Sequence, residues 1–284
     1  MNTGSSRTGY LLSKAFELGV AAILLTVILF PVIWLVLISV RSVAEVYQYP
    51  LTFFPKELVF DAYREVWLSK GYSTDWLRYF LNTAVIACFA ATGVMLLGLL
   101  LGYVLSRMRG PWVGRVQLLF IVIQLFEGPA LIIPVYLALS WLGLYNSAIG
   151  YILLLIVFFL PFAALLSLSF AYSVPIEIDE AARIDGCSDW QFFRKVFIPS
   201  AKVGMVTVGL MAFLLIWGEY PFALTLLQGE NRTVSTALVD LISGLSVYWN
   251  NLAAAATIIS LPVILVLVFA QKHIVSGLTS GSVK

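Results

Sequence analysis

Between residues 176 and 195 the stretch IEIDEAARIDGCSDWQFFRK gathers Glu177, Asp179, Glu180, Arg183, Asp185, Asp189, Arg194 and Lys195. Acids and bases at this density can transfer protons, hold a metal ion or dock against another charged surface. The rest of the chain offers little for the first two. Its one histidine is His273, which excludes a His-rich metal centre and most His-dependent catalysis. Its two cysteines, Cys88 and Cys187, fall in an apolar run and in the charged stretch, so they are expected at different depths, without a disulfide or a Cys-based metal site. No HExxH, no Ser/His/Asp set and no carboxylate pair at one depth is present.

Read locally, the stretch is two short helices with punctuation. Pro175 suits a first helical position, and Glu177, Asp179 and Glu180 suit the positive end of a helix dipole. Gly186 fits a left-handed C-terminal cap, and Ser188 to Gln191 has the spacing of a capping box. Pro199 marks an expected break before the next apolar run. Ala181 and Ala182 leave the first helix nearly bare beside the carboxylate of Glu180, which allows close approach to a cleft. A solvated loop with ordinary caps fits the same residues, and local chemistry alone does not choose between the two.

Two further acids lie within apolar runs. Glu127, in QLFEGPALIIP, falls about eleven residues into its run, near mid-membrane at 1.5 Å per residue. A charge there costs about 2.5–3.5 kcal/mol on insertion scales, so it must face protein or water. It is either a pathway residue or a neutral, hydrogen-bonded acid that locks two helices. Gly128, Pro129 and Pro134 beside it suggest a broken helix. Glu219, in IWGEYPFALTLL and flanked by Gly218 and Pro221, lies near the outer end of its run, where an interfacial acid needs little explanation. Trp217, Tyr220, Trp141 and Tyr136 have rings that stack on sugars, but aromatic belts at membrane interfaces account for them more simply.

The elements that position these groups follow from composition. Of the 284 residues 61% are hydrophobic and 11% charged, far more apolar than the roughly 45–50% of soluble domains. A net charge of +2, with Lys and Arg at the ends of apolar runs, excludes a nucleic-acid face. Six runs are long enough to cross a bilayer: 18–40, 81–105, 116–139, 149–171, 203–224 and 252–270. Backbone groups in lipid must pair within each run, so the expected fold is all-α and polytopic, with six transmembrane helices. The short basic loop from Arg107 to Arg115 contains no acid, which favours N-in and C-in and puts the charged stretch in the cytoplasm. The expected organisation is a cytoplasmic N-terminus (1–17), a six-helix transmembrane domain (18–272) and a cytoplasmic tail (273–284). Within the domain come an outer loop (41–80), the charged inner loop (172–201) and a second outer loop (228–251).

The spacing Glu180-Ala181-Ala182, three residues, Gly186, nine residues, Val196-Phe197-Ile198-Pro199 resembles the EAA signature of permease subunits in binding-protein-dependent ABC importers. Val196 and Ile198 replace the usual Ile and Leu. LNTAVIA, GYVLSRMRG, IIPVYLALSWLGLYNS, LPFAALLSLSF, IWGEYPFALTLL and QKHIVSGLTSGSVK are similar to the carbohydrate branch of that family, the maltose and glycerol-phosphate type. The resemblance implies a type I importer permease fold in a prokaryotic cytoplasmic membrane. It implies that the charged loop is a coupling helix gripped by an ATPase, with Glu180, Ala181, Ala182, Arg183, Asp185 and Gly186 in contact and the 277–284 tail adding to it. It also implies that the region of Glu219 helps form an outer gate, and that the 228–251 loop is placed to meet a binding protein.

The implied partners are a second homologous permease, two ABC ATPases, an extracytoplasmic substrate-binding protein and the lipid bilayer. No glycine loop of the G-x-x-x-x-G-K-[ST] type occurs, so this chain is expected to bind no cofactor and to catalyse nothing, with ATP and Mg²⁺ in the partner ATPases. An ion-coupled secondary transporter is the rival reading, and the lack of a visible inverted repeat argues against it.

Overall fold

The structure, a computed structural model, describes residues 4–50, 52–68, 75–126, 128–242 and 247–280. The regular structure among the described residues is entirely helical. The chain divides into two compact units, one of residues 1–74 and 240–258 and the other of 75–239 and 259–284.

In the first unit α1 (Gly4–Ser39) is one long apolar helix, so the stretch expected as a separate N-terminal segment is helical from Gly4 onward. It is followed by α2 (Val43–Val46) and α3 (Asp61–Trp67). Arg41, 1% exposed, folds the connection back on itself. Its Nη2 donates to the carbonyls of Thr52 and Phe53 at 2.6 and 2.8 Å, and its guanidinium lies 5.3 Å from the Trp34 ring. The rings of Tyr49, Phe54 and Phe60 stay exposed, as an interfacial segment requires.

The second unit is built on α4 (Trp76–Arg107), α7 (Ala148–Ala171) and α11 (Lys202–Trp217). Small residues let these helices touch. A Cβ on Gly98 would lie 2.5 Å from Ala163 Cβ, one on Gly102 2.6 Å from Ser167 Cβ, and one on Gly204 2.3 Å from the Phe170 ring. Close approach of this kind is how helices associate where lipid supplies no hydrophobic drive. Val94, Leu155, Val208 and Ala212 fill the seam and are fully buried. Around them lie α5 (Pro111–Ile123), α6 (Gly128–Trp141), α8 (Ile176–Ile184), α9 (Asp189–Phe192), α10 (Ile198–Ser200), α12 (Pro221–Leu226) and α13 (Val234–Ala237). The last helix, α14 (Trp249–Ser280), starts in the first unit and ends in the second.

Among the described residues four helices are long and apolar enough to cross a membrane: Gly9–Ser39, Trp76–Arg107, Ala148–Ala171 and Trp249–Phe269. Two more crossings exist if each bent pair counts as one span. Pro111–Ile123 and Gly128–Trp141 meet at 97°, the broken helix that Gly128, Pro129 and Pro134 suggested. The first helix stops after Ile123, where Leu125 and Phe126 turn back onto the carbonyls of Val122 and Ile123, and the second opens at Gly128 with Pro129 in its first turn, a place where proline needs no partner. The second bend, 78°, falls at Ala201, between Asp189–Ser200 and Lys202–Trp217. This is the break expected before the next span, two residues past Pro199, which itself lies within α10. The expected fifth span also stops early: α11 ends at Trp217 and Gly218 separates it from α12.

Candidate functional site

The charged loop is a helical elbow with a sharply defined exposed face. Helix α8 starts after Pro175, which stands one position before the helix rather than within it. Asp179 and Ala182, three residues apart, share the face turned inward and are buried. Glu177, Glu180, Ala181 and Ile184 follow an i, i+3, i+4, i+7 spacing on the other face, and all four are exposed. Ile184 is 86% exposed, an apolar tip beside a carboxylate and a bare alanine. Arg183, Asp185 and Gly186 are exposed too, so five of the six signature positions face outward and only Ala182 is packed away.

The elbow itself is fixed by backbone chemistry. Gly186 has φ +83, the N–H of Cys187 donates to Ala182 O at 2.9 Å, and the N–H of Gly186 donates to Arg183 O at 3.1 Å. Those two bonds form a Schellman cap, and the half-buried Cys187 completes it by packing near Ala182. The next turn begins with a full capping box. Ser188 Oγ accepts from the Gln191 N–H, and Gln191 Oε1 accepts from the Ser188 N–H. A π-helical turn, Phe193–Phe197, then leads into α10.

Two anchors hold the elbow against the long helices. Arg107, the last residue of α4, donates Nε to Asp179 Oδ2 at 2.7 Å and Nη2 to Asp179 Oδ1 at 3.0 Å. The same guanidinium reaches Val174 O at 3.0 Å and Ala171 O at 3.4 Å. Tyr103, one turn earlier, packs its ring 4.6 Å from Phe197 and 5.2 Å from Phe193. Sequence reasoning assigned Arg107 to membrane topology and Asp179 to a helix dipole. A 72-residue separation hides their pairing.

The apolar-run residues separate into different environments. Glu127 lies outside the described residues. Glu219 is a cap: its carboxylate accepts the N–H groups of Phe222 and Ala223 at 2.8 and 3.1 Å and the hydroxyl of Tyr151. It thereby satisfies the free donors at the start of α12, which an apolar setting would leave costly. Tyr220, half-buried, supplies the carbonyl that accepts from Leu224. Trp217 is only 5% exposed, wedged between Phe80 and Phe213, and its indole N–H donates to Ile259 O at 3.1 Å. Packed this way, it offers no free ring face to a ligand. Trp141, at 87% exposure, does.

The residues flanking position 127 line a small pocket of about 190 Å³ with Phe158, Phe159, Phe162 and Leu215. Such a volume falls below the roughly 300–1,000 Å³ of sites that enclose a drug-sized ligand. Its aromatic lining was missed in the sequence, where FF within IVFFLPF reads only as membrane-span hydrophobicity. The segment after α12 is more buried than its polar composition suggested. Val234, Thr236 and Ala237 are completely covered. Asn146 ties it down, accepting from the Gln228 N–H and from Asn231 Nδ2.

With this geometry in place, the likenesses to known proteins are specific. Residues 95–280 match the family described as binding-protein-dependent transport system inner membrane component. The chain is 30% identical over 261 residues to the diacetylchitobiose uptake system permease protein NgcG of Streptomyces coelicolor, covering 90% of this chain and 84% of that one. It is 28% identical over 259 residues to the trehalose transport system permease protein SugB of Mycobacterium tuberculosis, covering 90% and 92%. Its fold superimposes with a TM-score of 0.76 and 25% identity on a chain of a bacterial ABC transporter involved in importing the acidic polysaccharide alginate, covering 96% and 98%.

Proposed function

The chain belongs to the family of binding-protein-dependent transport system inner membrane components, and from that premise we propose how it is energised and what it carries. It is a multi-pass permease subunit of the inner membrane, of the kind that serves ABC importers of sugars and polysaccharides. In our reading its cargo is a sugar, a polyol or a related glycoside. The chain forms half of the pathway beside a second permease, receives cargo from an extracytoplasmic binding protein, and is driven by two ABC ATPases that hold ATP and Mg²⁺. It performs no catalysis of its own. Both termini lie in the cytoplasm.

The observation that carries this reading is the presentation of α8. Glu180, Ala181 and Ile184 are held outward by a Schellman cap and a buried ion pair, as a docking knob would be. A solvated loop has no need to fix a largely bare, partly apolar face this firmly. Alternating access would then come from rigid-body rocking of the helices as the ATPases close and open.

The test is uptake by the assembled importer in proteoliposomes. Accumulation is expected only with ATP inside, unchanged when an ionophore collapses the ion gradients. Uptake that persists without ATP and stops with the gradient would establish ion-coupled transport instead.

A further inference from the structure

The two ends of α4 each hold a different loop. At one end Arg107 forks onto Asp179, and the pair is shielded from water, with side chains 14% and 8% exposed. A bidentate guanidinium at such a site fixes orientation as well as distance. The same side chain also holds the C-terminal carbonyl of α7 and that of Val174 at the start of the loop. The Arg183–Asp189 pair, on the surface at 64% and 77% exposure, is solvated and screened, and cannot act as such a clamp.

At the other end of α4, residues one turn apart hold the segment after α12. Arg78 pairs with Glu230 at 2.6 Å. Asn82 Nδ2 donates to Glu230 O and Arg232 O at 2.8 and 3.0 Å, and Thr83 Oγ1 accepts the Val234 N–H at 2.9 Å. Between these ends α4 is 32 residues long, about 48 Å at 1.5 Å per residue. The other three span-length helices each contain a proline, Pro31, Pro161 or Pro262, whereas α4 has none. Its Gly98 and Gly102 press it directly on the backbone of α7.

We infer that Arg107 is a positioning residue for energy transfer: by clamping Asp179 and the carbonyls of Ala171 and Val174, it locks α8 to α4, so that a displacement of α8 carries the 230–234 segment with it as one body. The inference rests on the ATPase docking proposed above and specifies the path beyond it. Without the clamp, α8 would keep only apolar packing on the bundle, Ala182 in a cluster with Leu99 and Ala171 and the Tyr103 ring on Phe193 and Phe197, contacts that fix no direction, and it would swing further than α4 moves.

The experiment measures rigidity directly. In the complete importer in nanodiscs, with Cys88 and Cys187 replaced by Ser, spin labels are placed at Leu77→Cys and Ile178→Cys, both exposed positions and neither among the residues assigned to docking. With Arg107 and Asp179 intact, the distance between the labels is expected to stay the same with and without ATP plus vanadate. In the double variant Arg107→Met/Asp179→Asn, which removes both charges and so leaves none buried alone, the distance is expected to shift by several ångströms on trapping. Should that variant fail to assemble, Arg107→Lys decides. It keeps a charge beside Asp179 but not the fork, and a broadened, nucleotide-dependent distance supports the clamp. A distance that changes on trapping with the clamp intact, or variants whose distance stays as fixed as it is with the clamp intact, would overturn the inference. Failure of the underlying reading looks different: the unaltered chain would carry no ATPase and trap no vanadate.

Discussion

Single residues decide whether the elbow keeps its shape. Gly186 has φ +83, and a Cβ built on it meets nothing within 4 Å, so any penalty for substitution there is backbone strain and not crowding. Gly186→Val is expected to cost about 1–2 kcal/mol locally and to uncouple ATP hydrolysis from uptake in the reconstituted importer. Normal uptake by that variant would show that the turn has no such role. Glu219 makes a second prediction at this scale. Glu219→Ala leaves the Phe222 and Ala223 N–H groups and the Tyr151 hydroxyl without their acceptor, at about 1–3 kcal/mol for a buried donor. Thermal unfolding of the purified complex should fall clearly, and fall less for Glu219→Gln, which retains one acceptor oxygen. Equal melting of all three forms would rule out the capping role. The caps at Gly186 and Ser188 were readable in the sequence because cap chemistry is local. The partners of Glu219 were not, since Tyr151 is 68 residues away.

Helices are where the sequence reading was both most and least successful. Hydropathy located the long spans, because a continuous apolar run in lipid has no alternative to a helix. Gly128-Pro129 and Pro199 marked the neighbourhood of both bends, but the sequence could not give their angles or put the second at Ala201. Nor could it reveal burial of the 228–239 segment, whose inward residues Val234, Thr236 and Ala237 are hidden among polar neighbours. The α4–α7 seam gives the prediction at this scale. A Cβ on Gly102 would sit 2.6 Å from Ser167 Cβ and 2.7 Å from the Leu168 backbone N, so Gly102→Val must push the helices apart. A loss of about 1–3 kcal/mol is expected from overpacking, read as a lower melting temperature and reduced assembly. Gly114→Ala, where a Cβ meets nothing within 4 Å, is the matched control and should be neutral or slightly stabilising. Equal behaviour of the two variants would mean the close approach is not needed.

For the molecule as a whole, the central claim is that α8 is the point where another subunit's work enters this chain. The signature spacing pointed to that role from sequence alone, while the inward anchoring by Arg107 and the outward set of Glu180, Ala181 and Ile184 emerge only in three dimensions. The most direct measurement is site-specific photocrosslinking from position 181 in the assembled importer, where a photoreactive side chain replaces the exposed alanine. Capture of the ATPase subunit, strongest from 181 and 184 and absent from the buried Ala182, is the predicted result. No ATPase capture from the exposed face, or labelling of that face by a membrane-impermeant reagent added outside intact cells, would contradict the account.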